Sequence, residues 1–253
     1  MEDKFIEEMS DVEENNWWHE GRRRILCDTI ELVLKNVKNP MILDVGCGTG
    51  GTSNAFLKLG NLIGTDFSFA ALKLASKKGL ENIFRSTLTD IPLKNNSFDV
   101  ITAFDVIEHV KDDSTVLLEL KRLIKYNGHL VITVPAFQFL WSEHDVALSH
   151  FRRYTISTLT KVLNDSGFEI VRISYFVSFI FPPYALYRIL TRNSINKEKP
   201  KTVKRTFPKS INNLFLKFIL IENKLLKKID LQFGISLICI ARKKNNELEN
   251  EVL

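Results

Sequence analysis

The stretch that most constrains this chain is Met41 to Gly51, MILDVGCGTGG, an apolar run followed by four glycines within six residues: Gly46, Gly48, Gly50 and Gly51. Met41, Ile42, Leu43 and Val45 suit a strand buried on both faces of a parallel sheet. The glycines let the backbone turn sharply and offer bare main chain to whatever packs there. Residues Gly51 to Leu59 read as a helix. Strand, glycine loop and helix start together form the arrangement that holds a nucleotide-like ligand at the carboxyl edge of an open α/β sheet.

Two glycine spacings coexist. Gly46, Gly48 and Gly51 satisfy G-x-G-x-x-G, which keeps a nicotinamide-dependent oxidoreductase as an alternative. Gly46, Gly48 and Gly50 satisfy G-x-G-x-G, with Asp44 two residues ahead. A carboxylate repels pyrophosphate and attracts a cation. S-adenosylmethionine carries an ammonium and a sulfonium, so Asp44 tilts the reading toward that ligand. LDVGCGTG resembles the first motif of the class I methyltransferases that use it, and the order of the later segments agrees with theirs from Met41 to about Ser174.

The resemblance implies an α/β fold, a doubly wound, seven-stranded, mostly parallel Rossmann-like sheet with an antiparallel last strand. Here a helical insertion precedes that strand. The implied division is an N-terminal helical lid over 1–40, a donor-binding core over 41–174, an apolar and basic insertion over 175–230, the last strand within 231–243 and a charged tail over 244–253. Asp66 ends the second strand, 22 residues after Asp44, where an acid accepts hydrogen bonds from ribose hydroxyls; Phe67 follows it. Many relatives place an adenine-binding acid where this chain has Thr87, so either Thr87 or Asp90, together with the Leu88 amide, is the expected adenine contact. Asp44, Gly46, Gly48, Gly50 and Asp105 complete the donor set. Thr87 in place of an acid also leaves room for a catalytically inactive donor-binding protein.

After the fourth strand, Phe98 to Ala103, comes FDVIEHV. Asp105, Glu108 and His109 are spaced i, i+3, i+4 and share a face if that turn is helical. Such a set can ligate a divalent cation or hold a general base, and the alternative is a loop braced by hydrogen bonds. Quinone-biosynthesis and small-RNA O-methyltransferases carry a similar set with a metal, completed by a later histidine. The helix Asp112 to Lys125 is expected to stop at Asn127-Gly128, before a fifth strand over His129 to Val134. Pro135 to Thr155 then roofs the acceptor pocket in this fold. His144 or His150 is the candidate completing ligand or catalytic base, and Arg152, Arg153 and Tyr154 are candidates for gripping the acceptor. The opposing reading is a surface loop in which arginine pairs with Asp145.

Upstream, Trp17-Trp18-His19-Glu20-Gly21-Arg22 resembles the N-terminal segment of the quinone enzymes. Adjacent tryptophans cannot both face one core stripe. The segment is either a lid, with Trp18 and Arg22 reaching the ligands, or a staple that packs the N-terminus on the sheet.

The formal net charge is +5, but Phe176 to Asp230 carries twelve basic residues against three acids, a balance of +9 that leaves −4 for the rest. Its helix, Ile211 to Ile229, places Ile211, Leu214, Phe215, Phe218, Ile219, Leu225, Leu226 and Ile229 on one stripe, with lysines elsewhere. Apolar surface flanked by lysines suits an anionic membrane surface, or else a cap over the acceptor pocket. No apolar run reaches the length of a membrane span, and no nucleic-acid-binding module is evident. Cys27, Cys47 and Cys239 lack metal spacing and favour a reducing compartment. The acidic start reads as no signal peptide. The expectation is therefore a cytoplasmic S-adenosylmethionine-dependent methyltransferase. It acts on an oxygen of a small or lipid-linked acceptor, peripheral to the inner face of the membrane, without nucleic acid as substrate.

Overall fold

The computed structural model describes residues 13, 16–191 and 207–244. Most of the acidic start, residues 192–206 of the insertion and residues 245–253 of the charged tail lie outside the described residues. Seven strands form one sheet: β1 (Met41–Val45), β2 (Asn61–Asp66), β3 (Ile83–Arg85), β4 (Phe98–Phe104), β5 (Ile124–Pro135), β6 (Phe168–Phe176) and β7 (Ser236–Lys243), in the order β3-β2-β1-β4-β5-β7-β6. The five strands from β3 to β5 pair in parallel. β7 enters between β5 and β6, antiparallel to both.

Alternation of side chains sorts the core into two layers. Leu43, Val45, Ile101, Ala103, Leu130 and Ile132 face one side, under α3 (Asp113–Leu123) and α5 (Ile156–Asp165). Ile42, Val100, Val131 and Ile238 face the other, under α1 (Trp17–Leu34), α2 (Phe69–Lys77) and α7 (Lys209–Leu226). Two further helices among the described residues, α4 (Glu143–Ala147) and α6 (Phe181–Thr191), stand at the carboxyl end of β5 and in the insertion.

Several local expectations are corrected. The helix expected over Gly51 to Leu59 is a single 3-10 turn, Ser53–Phe56. Ser53 spends its hydroxyl on Asp44 rather than on a helix cap. Asn127-Gly128 does not stop α3, which ends at Leu123 as buried Ile124 begins the strand. Gly128 instead lies where β5 passes β4 so closely that a Cβ would sit 2.8 Å from the Phe98 carbonyl oxygen.

The stripe read on α7 divides in two. Phe215, Ile219 and Leu226 face inward with Glu222 and Asn223, whereas Ile211, Leu214, Phe218, Ile221 and Leu225 remain exposed. Glu222 accepts from the Val177 amide, from the Ser178 amide at 2.7 Å and from the Ser178 hydroxyl at 2.5 Å. Asn223 donates to Asp28 at 2.7 Å. α7 packs on α1 at Gly21, where an added Cβ would collide with Ile219 Cγ2.

Candidate functional site

The donor side begins where β1 ends. Gly46, Gly48 and Gly50 adopt φ of 72°, 56° and 78°, a region glycine enters without strain. The Gly46 and Cys47 amides donate to the Thr65 carbonyl at 2.8 and 3.0 Å, docking the loop on β2. A side chain at Gly48 would meet no atom within 4 Å, so bare main chain faces open space there. Asp66 accepts from the Gly48 amide at 2.9 Å and the Ser68 amide at 2.8 Å, and each oxygen keeps a further lone pair. Phe67 stays exposed beside it, with the Arg85 guanidinium 5.0 Å from its ring. Leu88 packs on the core and Thr87 is exposed.

Asp44 does not line the cleft. It is 3% exposed and accepts from the Ser53 hydroxyl and from the Thr102 hydroxyl at 2.5 Å. Burial pushes its carboxyl up to about 6, and those two hydrogen bonds oppose the shift. Its charge therefore acts from beneath the loop.

α1 straps the carboxyl edge. Asn16 caps it by accepting from the Trp18 amide at 2.9 Å. Trp17 is buried against Phe179 and Phe215, with ring centroids 5.6 and 5.2 Å away. Trp18 lies under the Arg22 guanidinium at 5.1 Å. Arg22 reaches Asp105 at 2.5 Å and Thr133 at 3.2 Å, and Arg23 donates to the Gly51 carbonyl at 2.9 Å. Trp17 packs as the staple reading expects, whereas Trp18 lies against Arg22, which is itself held on Asp105 at the carboxyl end of β4. Burial acts to raise the Asp105 carboxyl, and the Arg22 guanidinium overrides it and leaves the group below its ordinary value. His19 was missed in the sequence. Burial, then Arg22 and Arg23, lower it to about 4. Its i, i+3, i+4 spacing to those arginines was the available signal.

Beyond β4, a 3-10 turn over Ile107–His109 carries the acid and the histidine. Glu108 is fully buried, and neither carboxylate oxygen has a hydrogen-bond partner. Burial, and after it the Asp105 charge, push its carboxyl well above its ordinary value. One ligand atom each of Glu108, His109 and His150 lies within 4.8 Å of the others, and the two imidazoles meet edge to face at 4.6 Å. His109 is lowered, by burial first and by His150 second.

His150 Nδ1 contacts Asp145 Oδ1 at 3.0 Å. Asp145 also accepts from Arg153 Nε at 2.7 Å and from the Ser142 amide at 2.8 Å. Burial alone would raise that carboxyl; the bonds from His150, Arg153 and Ser142 hold it far below its ordinary value. An ionised Asp145 makes His150 Nδ1 the donor in that contact.

The structure alters the expected site in three ways. Asp105 is bound to Arg22 and is not in the metal-like set, which is Glu108, His109 and His150. Of the two later histidines, His150 joins that set; His144, with Nδ1 buried and unpartnered, does not. Arg152, Arg153 and Tyr154, expected to grip the acceptor, are engaged with acids of the protein itself. Arg152 donates to Asp113 at 2.9 Å, the buried Tyr154 hydroxyl to Asp113 at 2.7 Å, and Arg153 to Asp145. Buried Asp113 and Asp145 require donors inside the protein, and these side chains supply them.

A family model described as a methyltransferase domain matches residues 43–132. The chain is 31% identical over 174 residues to an uncharacterised protein of Methanocaldococcus jannaschii, covering 66% of this chain and 75% of that one. It is 34% identical over 103 residues to the ubiquinone biosynthesis O-methyltransferase of Pasteurella multocida, covering 34% of this chain and 43% of the relative. The chain belongs to the class I S-adenosylmethionine-dependent methyltransferases.

The methyltransferase spans only about half the length of several other curated relatives it matches. Its fold matches a crystal structure of an S-adenosylmethionine-dependent methyltransferase from Mesorhizobium loti with a TM-score of 0.57 at 17% identity, covering 85% of this chain and 96% of that one. Bare main chain at Gly48, free lone pairs on Asp66 and the Asp44 charge below them fit a cationic nucleoside donor. The Glu108 oxygens, buried without partners beside two imidazoles, fit a divalent cation of the kind that accepts mixed nitrogen and oxygen ligands.

Proposed function

We propose that this methyltransferase methylates an oxygen of a small or lipid-linked acceptor at a membrane surface. The observation that carries the reading is the cluster of Glu108, His109 and His150 beside Asp105 at the carboxyl end of β4. S-adenosylmethionine supplies an electrophilic methyl group, so the chain's task is to align the acceptor, exclude water and remove a proton. A hydroxyl needs that last service. His109 and Glu108 are the groups with unspent acceptor capacity there, and His150 is oriented by Asp145. A divalent cation on Glu108, His109 and His150 would supply charge that favours an alkoxide or phenoxide. No Asn/Asp-Pro-Pro-Tyr sequence comes after β4, which disfavours adenine or glutamine as acceptor.

Support for the membrane comes from the insertion. The outer stripe of α7 is spaced three and four residues apart, and Leu186, Tyr187, Ile189 and Leu190 of α6 are exposed as well. Exposed Lys209, Lys217, Lys224, Lys227 and Lys228 flank the stripe. This chemistry suits an anionic lipid surface. Among the described residues no helix is long and apolar enough to cross a membrane.

The test is incubation with donor and lipid extract, followed by mass spectrometry for a gain of one CH₂. A modified lipid that is stable to ester cleavage and bears a new methyl ether supports the proposal. Methylation confined to amines refutes the oxygen assignment. Sedimentation with phosphatidylglycerol vesicles at low salt tests the surface, and a protein left wholly in solution refutes it.

A further inference from the structure

Helix α6 buries a cation with no acid paired to it among the described residues. Arg188 is 6% exposed and is the only lysine or arginine buried among the described residues. Nη1 donates to Thr191 Oγ1 at 3.1 Å and Nη2 to the Trp141 carbonyl, both neutral acceptors. Nε is buried with no acceptor. Among the described residues no acid pairs with it, whereas Arg152, Arg153 and Arg172 each hold one. Removing an ionised guanidinium from water without an anion is costly, and guanidinium does not neutralise by losing its proton.

Its place in the fold is beside the loop after β5. Trp141 lies in the loop that roofs the acceptor side, three residues before His144. Phe181, two turns before Arg188 on the same face of α6, contacts Phe137 and Phe139 of that loop with ring centroids 5.4 and 6.4 Å away. Phe139 and Phe233 remain exposed and both rings contact Phe181, Phe233 at 5.6 Å between centroids, so an aromatic wall with exposed rings lines this end of α6. We propose that Arg188 binds an oxyanion, a phosphate or carboxylate carried by the acceptor, whose apolar body lies along this aromatic wall. The guanidinium fork suits such a group. The inference rests on the reading of residues 136–154 as the acceptor roof.

The test is thermal unfolding of the full chain with inorganic phosphate against chloride at matched ionic strength, for the wild type, Arg188→Met and Arg188→Lys. Phosphate is expected to raise the wild-type Tm, by about 3–6 °C for each tenfold gain in the folding equilibrium. The shift should vanish in Arg188→Met and shrink in Arg188→Lys, which keeps the charge without the fork and carries the test if the methionine variant does not fold. The shift produced by S-adenosylhomocysteine should persist in both, which separates failure of the anion site from failure of the donor site. Soluble short-chain phosphatidic acid distinguishes sources: a larger Arg188-dependent shift than with phosphate assigns the oxyanion to a lipid, and an equal one to a free group. No phosphate shift in the wild type, or an equal shift in Arg188→Met (an adventitious ion only), overturns the proposal.

Discussion

Asp44→Asn separates what the motif's acid does for the donor from what it does to the fold. The carboxyl is held at about 6 in the folded protein against an ordinary 3.8, with burial as the main cause. Between those values the folded state binds more protons than the unfolded one, so stability falls as pH rises through that window and is flat above it. About 2 pKa units at 1.36 kcal/mol each put the cost of the buried charge near 3 kcal/mol at pH 7.5. Asparagine keeps the shape, and the Ser53 and Thr102 hydroxyls can rotate to suit it. The variant should match the wild type near pH 4 and exceed it above pH 6 by up to about 3 kcal/mol. For a chain of this size that is about 6–12 °C in Tm. Donor binding should move the other way. A cation held near the loop favours ionised Asp44, so wild-type affinity for S-adenosylmethionine should rise with pH through about 6 while the variant's stays level and weaker. Melting curves across pH and calorimetry with the donor read both effects. Parallel pH–stability curves, or a variant less stable at pH 7.5, would refute the account of Asp44 as a strained buried charge.

The geometry sets three further outcomes. Asp66→Ala should weaken donor binding by about 1–3 kcal/mol, the cost of losing a charged hydrogen-bond partner, and unchanged affinity in calorimetry would remove Asp66 from the ribose. His109→Ala should abolish turnover and any thermal shift from added zinc or manganese while leaving S-adenosylhomocysteine binding intact; full activity would return His109 to bracing the loop. Gly21→Ala gains up to about 1 kcal/mol of helix propensity but forces a methyl against Ile219, an overpacking cost of about 1–3 kcal/mol. A lower Tm, partly restored by adding Ile219→Ala, is expected from chemical or thermal melts; purely additive effects would contradict direct contact.

The sheet was legible because each strand announces itself locally. Met41–Val45 is apolar on both faces apart from Asp44; Asp66 and Pro135 end β2 and β5; and the Thr155 hydroxyl caps α5 by accepting from the Thr158 amide. The acceptor side was less legible because its partners are far apart in sequence. Arg152 finds Asp113 across 39 positions. No spacing rule tells a buried acid that needs an arginine from an arginine that awaits a ligand. The same holds for the choice between His144 and His150: they are close in sequence, but the fold keeps His144 in α4 while it holds His150 on Asp145 and beside His109. Arg188 sits in a segment whose apolar residues drew attention away from it.

The insertion carries the same lesson in its energetics. Polar residues on a surface helix normally face water and apolar ones the core. α7 reverses part of that order. Glu222 and Asn223 are buried and satisfied by the Val177–Ser178 turn and Asp28, so polar contacts as well as apolar ones anchor the helix. Ile211, Leu214, Phe218, Ile221 and Leu225 are then left outside, where water gives them nothing. If a lysine-flanked stripe of that kind rests on lipid, substituting Phe218 and Ile221 by serine should spare the fold, because neither side chain is in the core. The same change should release the protein from phosphatidylglycerol vesicles. Losing two large apolar contacts of about 1.5–3 kcal/mol each corresponds to a partition weaker by about a hundredfold or more. Retained sedimentation of that double variant would assign the stripe to something other than a membrane.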